Sequence, residues 1–354
     1  MALRARWRLE AAGPFPEDLP PPGYEGAEYL RVPNRGTMMV HQAADRVLQA
    51  GPVQVMADET PYQLPAELRE LAPIALHALR AGKVIFNDTH LGLRDDLLPA
   101  SSSESRPLRL VETSYFDHVC SAELCQYTVI DQVTNAETEI RRIELIDPGG
   151  RLVTLAASRV ANIIGVSTLA FTSDDLLLMV PQSKNNVASR RLYAPSGSGS
   201  LDPADWQAAG DGACLQDILV RGMERELCEE TGISPDDVGQ TQVVGFGRWL
   251  ERGAKPEFFA VTRLKIRASD VKTAKVSAAE KIYSDRVRPV FVDLDRLEQE
   301  LRPGQPIHGA PSYPQDVRKT GSLPLIAGLR AVALSGQGHG AGGGASRRGQ
   351  WRRG

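Results

Sequence analysis

Apolar positions recur at helical spacing in several stretches of the chain and gather into short β-branched runs in others. "MMVHQAADRVLQA" (38–50) has a helical rhythm, and "PAELRELAPIALHALRAG" (65–82) predicts a second helix, opened by proline and closed by Gly82. "CLQDILVRGMERELCEETG" (214–232) predicts a third. At 100° per residue its Val220, Met223 and Leu227 fall between about 60° and 120° of Glu226, an apolar stripe suited to packing on a sheet. Gly232 ends that helix in the manner of a left-handed cap. "DRLEQELR" (295–302) reads as a further helix. Strands are expected at "KVIFND" (83–88), "YTVIDQV" (127–133), "IRRIELI" (140–146) and "IIGVSTLAF" (163–171). More are expected at "DDLLLMVPQS" (174–183), "TQVVGFGRWLERG" (241–253), "PEFFAVTRLKI" (256–266) and "VRPVFVDL" (287–294). Turn signals such as "DPGG" (147–150) separate them, and "KNNVASRRLYAP" (184–195) and "SGSGSLDPAD" (196–205) read as polar loops. The mixture predicts an α/β (α+β) fold.

Composition divides the chain further. Pro14, Pro16, Pro20, Pro21 and Pro22 make residues 1–30 an expected disordered arm. Residues 31–150 are expected to form an N-terminal α/β region, 151–335 a second domain, and the Gly- and Arg-rich 336–354 a disordered tail. A net charge of -3 supplies no field to draw the molecule to nucleic acid or an anionic membrane, so phosphate affinity has to be local. The longest apolar stretch, "VANIIGVSTLAF", is too short to span a bilayer, and the N-terminus has no apolar run of a signal peptide. Four cysteines without zinc-ligand spacing are expected as thiols in a reducing compartment, the cytoplasm.

"RELCEETGI" (225–233) carries the candidate chemistry. Glu226, Glu229 and Glu230 share an arc of about 100° on the third helix, where like charges repel. Three close carboxylates would suit Mg²⁺, which prefers oxygen ligands and keeps waters that can bridge to phosphate. A solvated acidic face is the plainer account of each glutamate alone; the joint pattern, with Arg225 beside the acids, argues against it. Gly222 lies one turn before Glu226 and removes bulk there, either for an approaching ligand or for a neighbouring backbone.

This pattern resembles the C-terminal half of the Nudix box. The first half, G-x5-E, has two registers in this chain. Counting back from Arg225 gives Asp217 for the acid and Asp211 at the glycine position, whereas the loop upstream gives Gly199 followed by Asp205. The second is the better match, with "WQAAGDGACLQD" interrupting the box. An interrupted box, a long N-terminal region, and the segments "VIFNDTHLGL", "TSYFDH" and "FTSDDLLLMVPQS" are similar to the branch of the superfamily that hydrolyses UDP-glucose and UDP-galactose. The similarity covers roughly residues 80–335, and "PSGSGS" stands where most Nudix proteins have a Pro-Gly-Gly turn.

The resemblance implies a mixed sheet between helices and a Mg²⁺-dependent hydrolysis, with Mn²⁺ as a substitute, of a nucleoside diphosphate-linked small molecule. It implies Glu226, Glu229 and Glu230 as metal ligands, Glu226 also orienting or deprotonating the water, and Arg225 holding the carboxylates. Lys184, Arg190 and Arg191 would lie near the diphosphate, with an ordinary solvated loop as the equal alternative; Asn87 and Tyr115 would lie near the substrate, though a core aromatic with a satisfied hydroxyl is the plainer account of Tyr115. An ADP-ribose or dinucleotide hydrolase, or a nucleotide sensor without turnover, is the alternative.

Overall fold

The computed structural model describes residues 6–13, 15, 20–80, 86–98, 106–182, 192–271, 287–301 and 313–336. The first half of the chain forms β1 (Trp7–Ala11), β2 (Glu28–Val32), β3 (Gly36–Val40), α1 (Gln42–Ala50), β4 (Val55–Ala57), α2 (Ala66–Arg80), β5 (Thr89–Leu93), β6 (Leu108–Ser114), α3 (Tyr115–Val119), β7 (Tyr127–Asp131), β8 (Glu137–Glu139) and α4 (Ile140–Glu144). There follow β9 (Gly165–Phe171), β10 (Leu176–Pro181), β11 (Tyr193–Ala194), β12 (Gly197–Ser200), α5 (Pro203–Ala209) and α6 (Leu215–Thr231). The chain continues through β13 (Val238–Trp249), β14 (Lys255–Leu264), β15 (Arg288–Phe291), α7 (Leu294–Leu301), α8 (Gln315–Thr320) and α9 (Leu323–Leu334).

Among the described residues the central sheet runs β11-β10-β9-β14-β13-β3-β2, with β12 also paired to β9 and β15 to β10. It is mixed: β14 and β9 are parallel, in register Glu257 to Gly165 through Arg263 to Phe171, while β13 and β14 are antiparallel. Helices cover both faces. On one, Leu215, Ile218, Leu219 and Met223 of α6 join Ala44 and Leu48 of α1 in a core with Val166, Phe246 and Phe258. On the other, Leu325, Leu329 and Val332 of α9 share a core with Leu169, Phe171, Val244 and Phe259. Adjacent strand residues face opposite sides of a sheet, so Phe258 and Phe259 serve the two cores in turn. Smaller sheets, β1-β7-β8 and β4-β6-β5, belong to the N-terminal region.

The mixed sheet and its helices match the α/β expectation, with local departures. The run 38–50 is divided: Met38–Val40 end β3, and His41, accepting from the Ala43 amide at 3.1 Å, starts α1. "IRRIELI" forms α4 rather than a strand, because its buried side chains are Ile140, Arg141 and Glu144, at helical spacing. Of "KVIFND" only 86–88 are described, and they precede β5; Gly82 lies outside the described residues. The expected arm holds β1, which pairs antiparallel with β7, and the start of β2. Strand β3 pairs with β13, so the central sheet takes strands from both sides of the expected boundary at 150. No described helix is long and apolar enough to cross a membrane.

Candidate active site

Helix α6 is fixed at both ends. Asp217 accepts a hydrogen bond from the Cys214 amide at 3.0 Å, which satisfies one of the free donors of the first turn. Gly232, at φ 70°, closes the helix in the left-handed conformation, and its amide bonds to the Cys228 carbonyl. Between them the apolar stripe seats the helix on the sheet and leaves Arg225, Glu226 and Glu229 along its rim.

Upstream, the stretch expected to be a loop is built. Residues Gly197–Ser200 are strand β12, antiparallel to β9 with Gly199 opposite Val166. A Cβ at Gly199 would lie 2.1 Å from Glu226 Oε1, so only glycine leaves that carboxylate its place. After β12 the chain turns into α5, and Asp205 in its first turn accepts from the Asp202 amide at 2.9 Å. A Cβ on Gly222 would stand 2.7 Å from Leu201 Cδ1 and 3.0 Å from Asp205 Oδ2. Close approach of this upstream segment is therefore what Gly222 permits.

Arg225 gathers these parts. Its Nε and Nη2 donate to the two oxygens of buried Asp205, both at 2.9 Å, the two-point geometry that a guanidinium offers a carboxylate. Its Nη1 donates to Glu226 at 2.9 Å and to Glu229 at 3.2 Å, and Nη2 reaches the Ser200 carbonyl at 3.0 Å. Glu230 accepts from the Ser198 amide at 3.2 Å. Burial lifts the pKa of Glu226 to about 7, against the pull of Arg225, with Glu229 adding to the rise. Burial pushes the Arg225 pKa down, but the Asp205 hydrogen bond and the charges of Glu226, Asp205 and Asp202 outweigh it and raise the guanidinium above its ordinary range.

The structure thus places Asp205, not Asp217, beside Arg225. It also brings in residues that spacing did not reveal. Asp202 lies 3.4 Å from Arg225, and His90 of β5 lies 2.7 Å from Asp202. The pair Asp202/Asp205 has the spacing of a helix-start box, a signal present in "LDPAD"; His90 had none. Asn87 accepts from the Phe116 amide at 2.8 Å and the Tyr115 amide donates to the Asp88 carbonyl at 2.9 Å, so both residues sit where α3 begins. Lys184, Arg190 and Arg191 lie outside the described residues.

Among the described residues no three His, Cys, Asp or Glu side chains stand together at the spacing of a bound metal ion. Glu226 and Glu229 both reach one nitrogen of Arg225, and carboxylate oxygens are the ligand type that a hard divalent cation such as Mg²⁺ takes.

No protein-family model matches the chain, and no curated protein does. Solved structures give partial likenesses. One is a Deinococcus radiodurans protein, at 12% identity and a TM-score of 0.29 over 53% of this chain and 96% of that one. Another is the MutT protein from Methanosarcina mazei Go1, at 20% identity and 0.27 over 47% and 91%. A third is a Nudix hydrolase from Nitrosomonas europaea, at 16% identity and 0.25 over 44% and 94%. Similarity at this level leaves function to be argued from the carboxylate cluster itself.

Proposed function

We propose that the protein is a Nudix hydrolase that uses Mg²⁺, or Mn²⁺ in its place, to split the diphosphate of a nucleoside diphosphate-linked small molecule, a UDP-sugar above all. The observation that carries this reading is the grip of Arg225 on Asp205, Glu226 and Glu229 at once. A solvated acidic face would have no use for a buried carboxylate in an upstream helix, a glycine cleared for Glu226 and an arginine between them.

In this reading Glu226, Glu229 and Glu230 hold the metal. When bound, the metal neutralises phosphoryl charge and makes water more nucleophilic. Glu226 orients the attacking water and accepts its proton. The water oxygen bonds to one phosphorus as that phosphorus parts from the bridging oxygen, which leaves on the other phosphate. UDP-glucose or UDP-galactose then gives UMP and the sugar 1-phosphate. Arg225 keeps the carboxylates aimed throughout. Lys184, Arg190 and Arg191 are proposed diphosphate contacts, and Asn87 and Tyr115 contacts to the rest of the substrate.

Support for the UDP-sugar choice comes from the interruption of the box by residues 206–217 and from β5 of the N-terminal region lying against its upstream half. Both features accompany the sequence resemblance to that branch. The test is product formation from UDP-glucose, UDP-galactose, ADP-ribose and a dinucleotide, with Mg²⁺ and with EDTA. UDP-sugar cleavage that stops on chelation is the expected result. A much higher kcat/KM for ADP-ribose would overturn the substrate choice, and nucleotide binding without turnover of any compound would overturn the enzyme.

A further inference from the structure

We infer that His90 is a positioning residue for the proposed hydrolysis: it holds Asp202 against Arg225 and so fixes the carboxylates of Glu226 and Glu229. The inference rests on the functional reading above. Its starting point is backbone. The Leu91 amide donates to the Leu201 carbonyl at 2.8 Å, the Leu201 amide to Ile164 at 3.0 Å, and the Ile164 amide to Leu91 at 2.9 Å. These three bonds lock β5 to the residue that precedes Asp202.

The neighbouring side chains continue the link. His90 Nδ1 lies 2.7 Å from Asp202 Oδ1, with the His90 side chain only 13% exposed. An ionised carboxylate can only accept, so the proton of this contact belongs to Nδ1. The other oxygen of Asp202 lies 3.4 Å from Arg225 Nη2, the nitrogen that also bonds Asp205 and the Ser200 carbonyl. Arg225 then reaches Glu226 and Glu229 through Nη1. Because α5 separates the upstream segment from α6, the chain does not hold Asp202 in place by direct continuity with that helix. The start of α5 fixes the Asp202 backbone through Asp205, and His90 of the N-terminal region adds a hold on its side chain.

The test uses the full chain with His90→Ala, His90→Asn and, as a control on the same strand, the exposed Thr89→Ala. Two quantities are read: kcat and KM for the UDP-sugar with Mg²⁺, and the affinity for Mn²⁺ alone by electron paramagnetic resonance of the free ion. Partners that touch a ligand directly change affinity or activity about 10- to 100-fold, and His90, acting through Asp202 and Arg225, belongs at the low end, about 10-fold. His90→Ala should lower kcat and weaken Mn²⁺ binding by that factor with KM unchanged. His90→Asn, whose amide can donate from nearly the same place, should recover most of both, and Thr89→Ala should match the wild type. Wild-type kcat and Mn²⁺ affinity in His90→Ala would overturn the inference, as would equal losses in the Ala and Asn variants. If His90→Ala does not fold, His90→Leu against His90→Asn carries the comparison, and equal behaviour of those two overturns it. A wild-type protein without turnover would sink the hydrolase reading, while the Mn²⁺ affinities would still decide the role of His90.

Discussion

Arg225 has no equivalent substitute, since a lysine cannot present two parallel donors to Asp205 and a third to the glutamates. Around it, single changes separate chemistry from support. Glu230→Gln keeps an acceptor for the Ser198 amide but removes a charge. It should lower kcat at least about 100-fold, nearly 3 kcal/mol of barrier. Above about pH 7, where Glu226 is ionised, relief of the i, i+4 repulsion should meanwhile raise metal-free stability by roughly 0.2–0.5 kcal/mol. Unchanged turnover in that variant would end the metal-ligand assignment. Asp205→Ala removes the two-point hold on Arg225 and should cost activity, whereas Asp217→Ala loosens only the first turn of α6. The latter should cost about 1 kcal/mol in urea denaturation and leave kcat alone. The reverse pattern would make Asp217, not Asp205, the acid that activity depends on. Gly199→Ala, with its Cβ driven into Glu226, should lose Mg²⁺-dependent activity in a protein that still folds.

At the scale of elements, α1 and α6 each hold a carboxylate whose proton is bound more tightly in the folded chain. Burial raises the pKa of Asp45 to about 7, although its Oδ1 accepts from the Phe246 amide at 2.9 Å, and burial does the same for Glu226. A carboxyl that binds its proton more tightly when folded stabilises most at low pH, and that contribution is lost as pH rises from the unfolded value through the folded one. In EDTA, the melting temperature should therefore fall between about pH 4.5 and 8, and Asp45→Asn, which keeps the acceptor and discards the titration, should flatten the fall. An equal slope in the variant would count against the buried charge. The helix α6 and the strands β9, β10, β13 and β14 were legible because their apolar residues are regularly spaced or continuous. Strand β12 was not: "GSGS" has no strand-forming side chains, and its structure comes from pairing with β9 and from glycines that let α6 approach. Helix α9 is buried on nearly every side, so "LPLIAGLRAVAL" carries no periodic signal.

For the molecule as a whole, the acidic cluster could be read from one local pattern, but the contact of His90 with Asp202 joins positions 112 residues apart, which no spacing rule reaches. The same non-local construction makes the N-terminal region integral. Strands β2 and β3 extend the central sheet beyond β13, and β5 bonds to Leu201, between β12 and α5. A 151–335 fragment should be insoluble, or should bind substrate weakly; a soluble fragment with full activity and unchanged preference would show that the region serves something else. The most direct test of the central claim is phosphorus NMR of UDP-glucose incubated with the full chain and Mg²⁺. UMP and glucose 1-phosphate should appear together and be absent with EDTA or with Glu230→Gln. UDP-glucose left intact by the wild type, or cleaved as fast by Glu230→Gln, would contradict it.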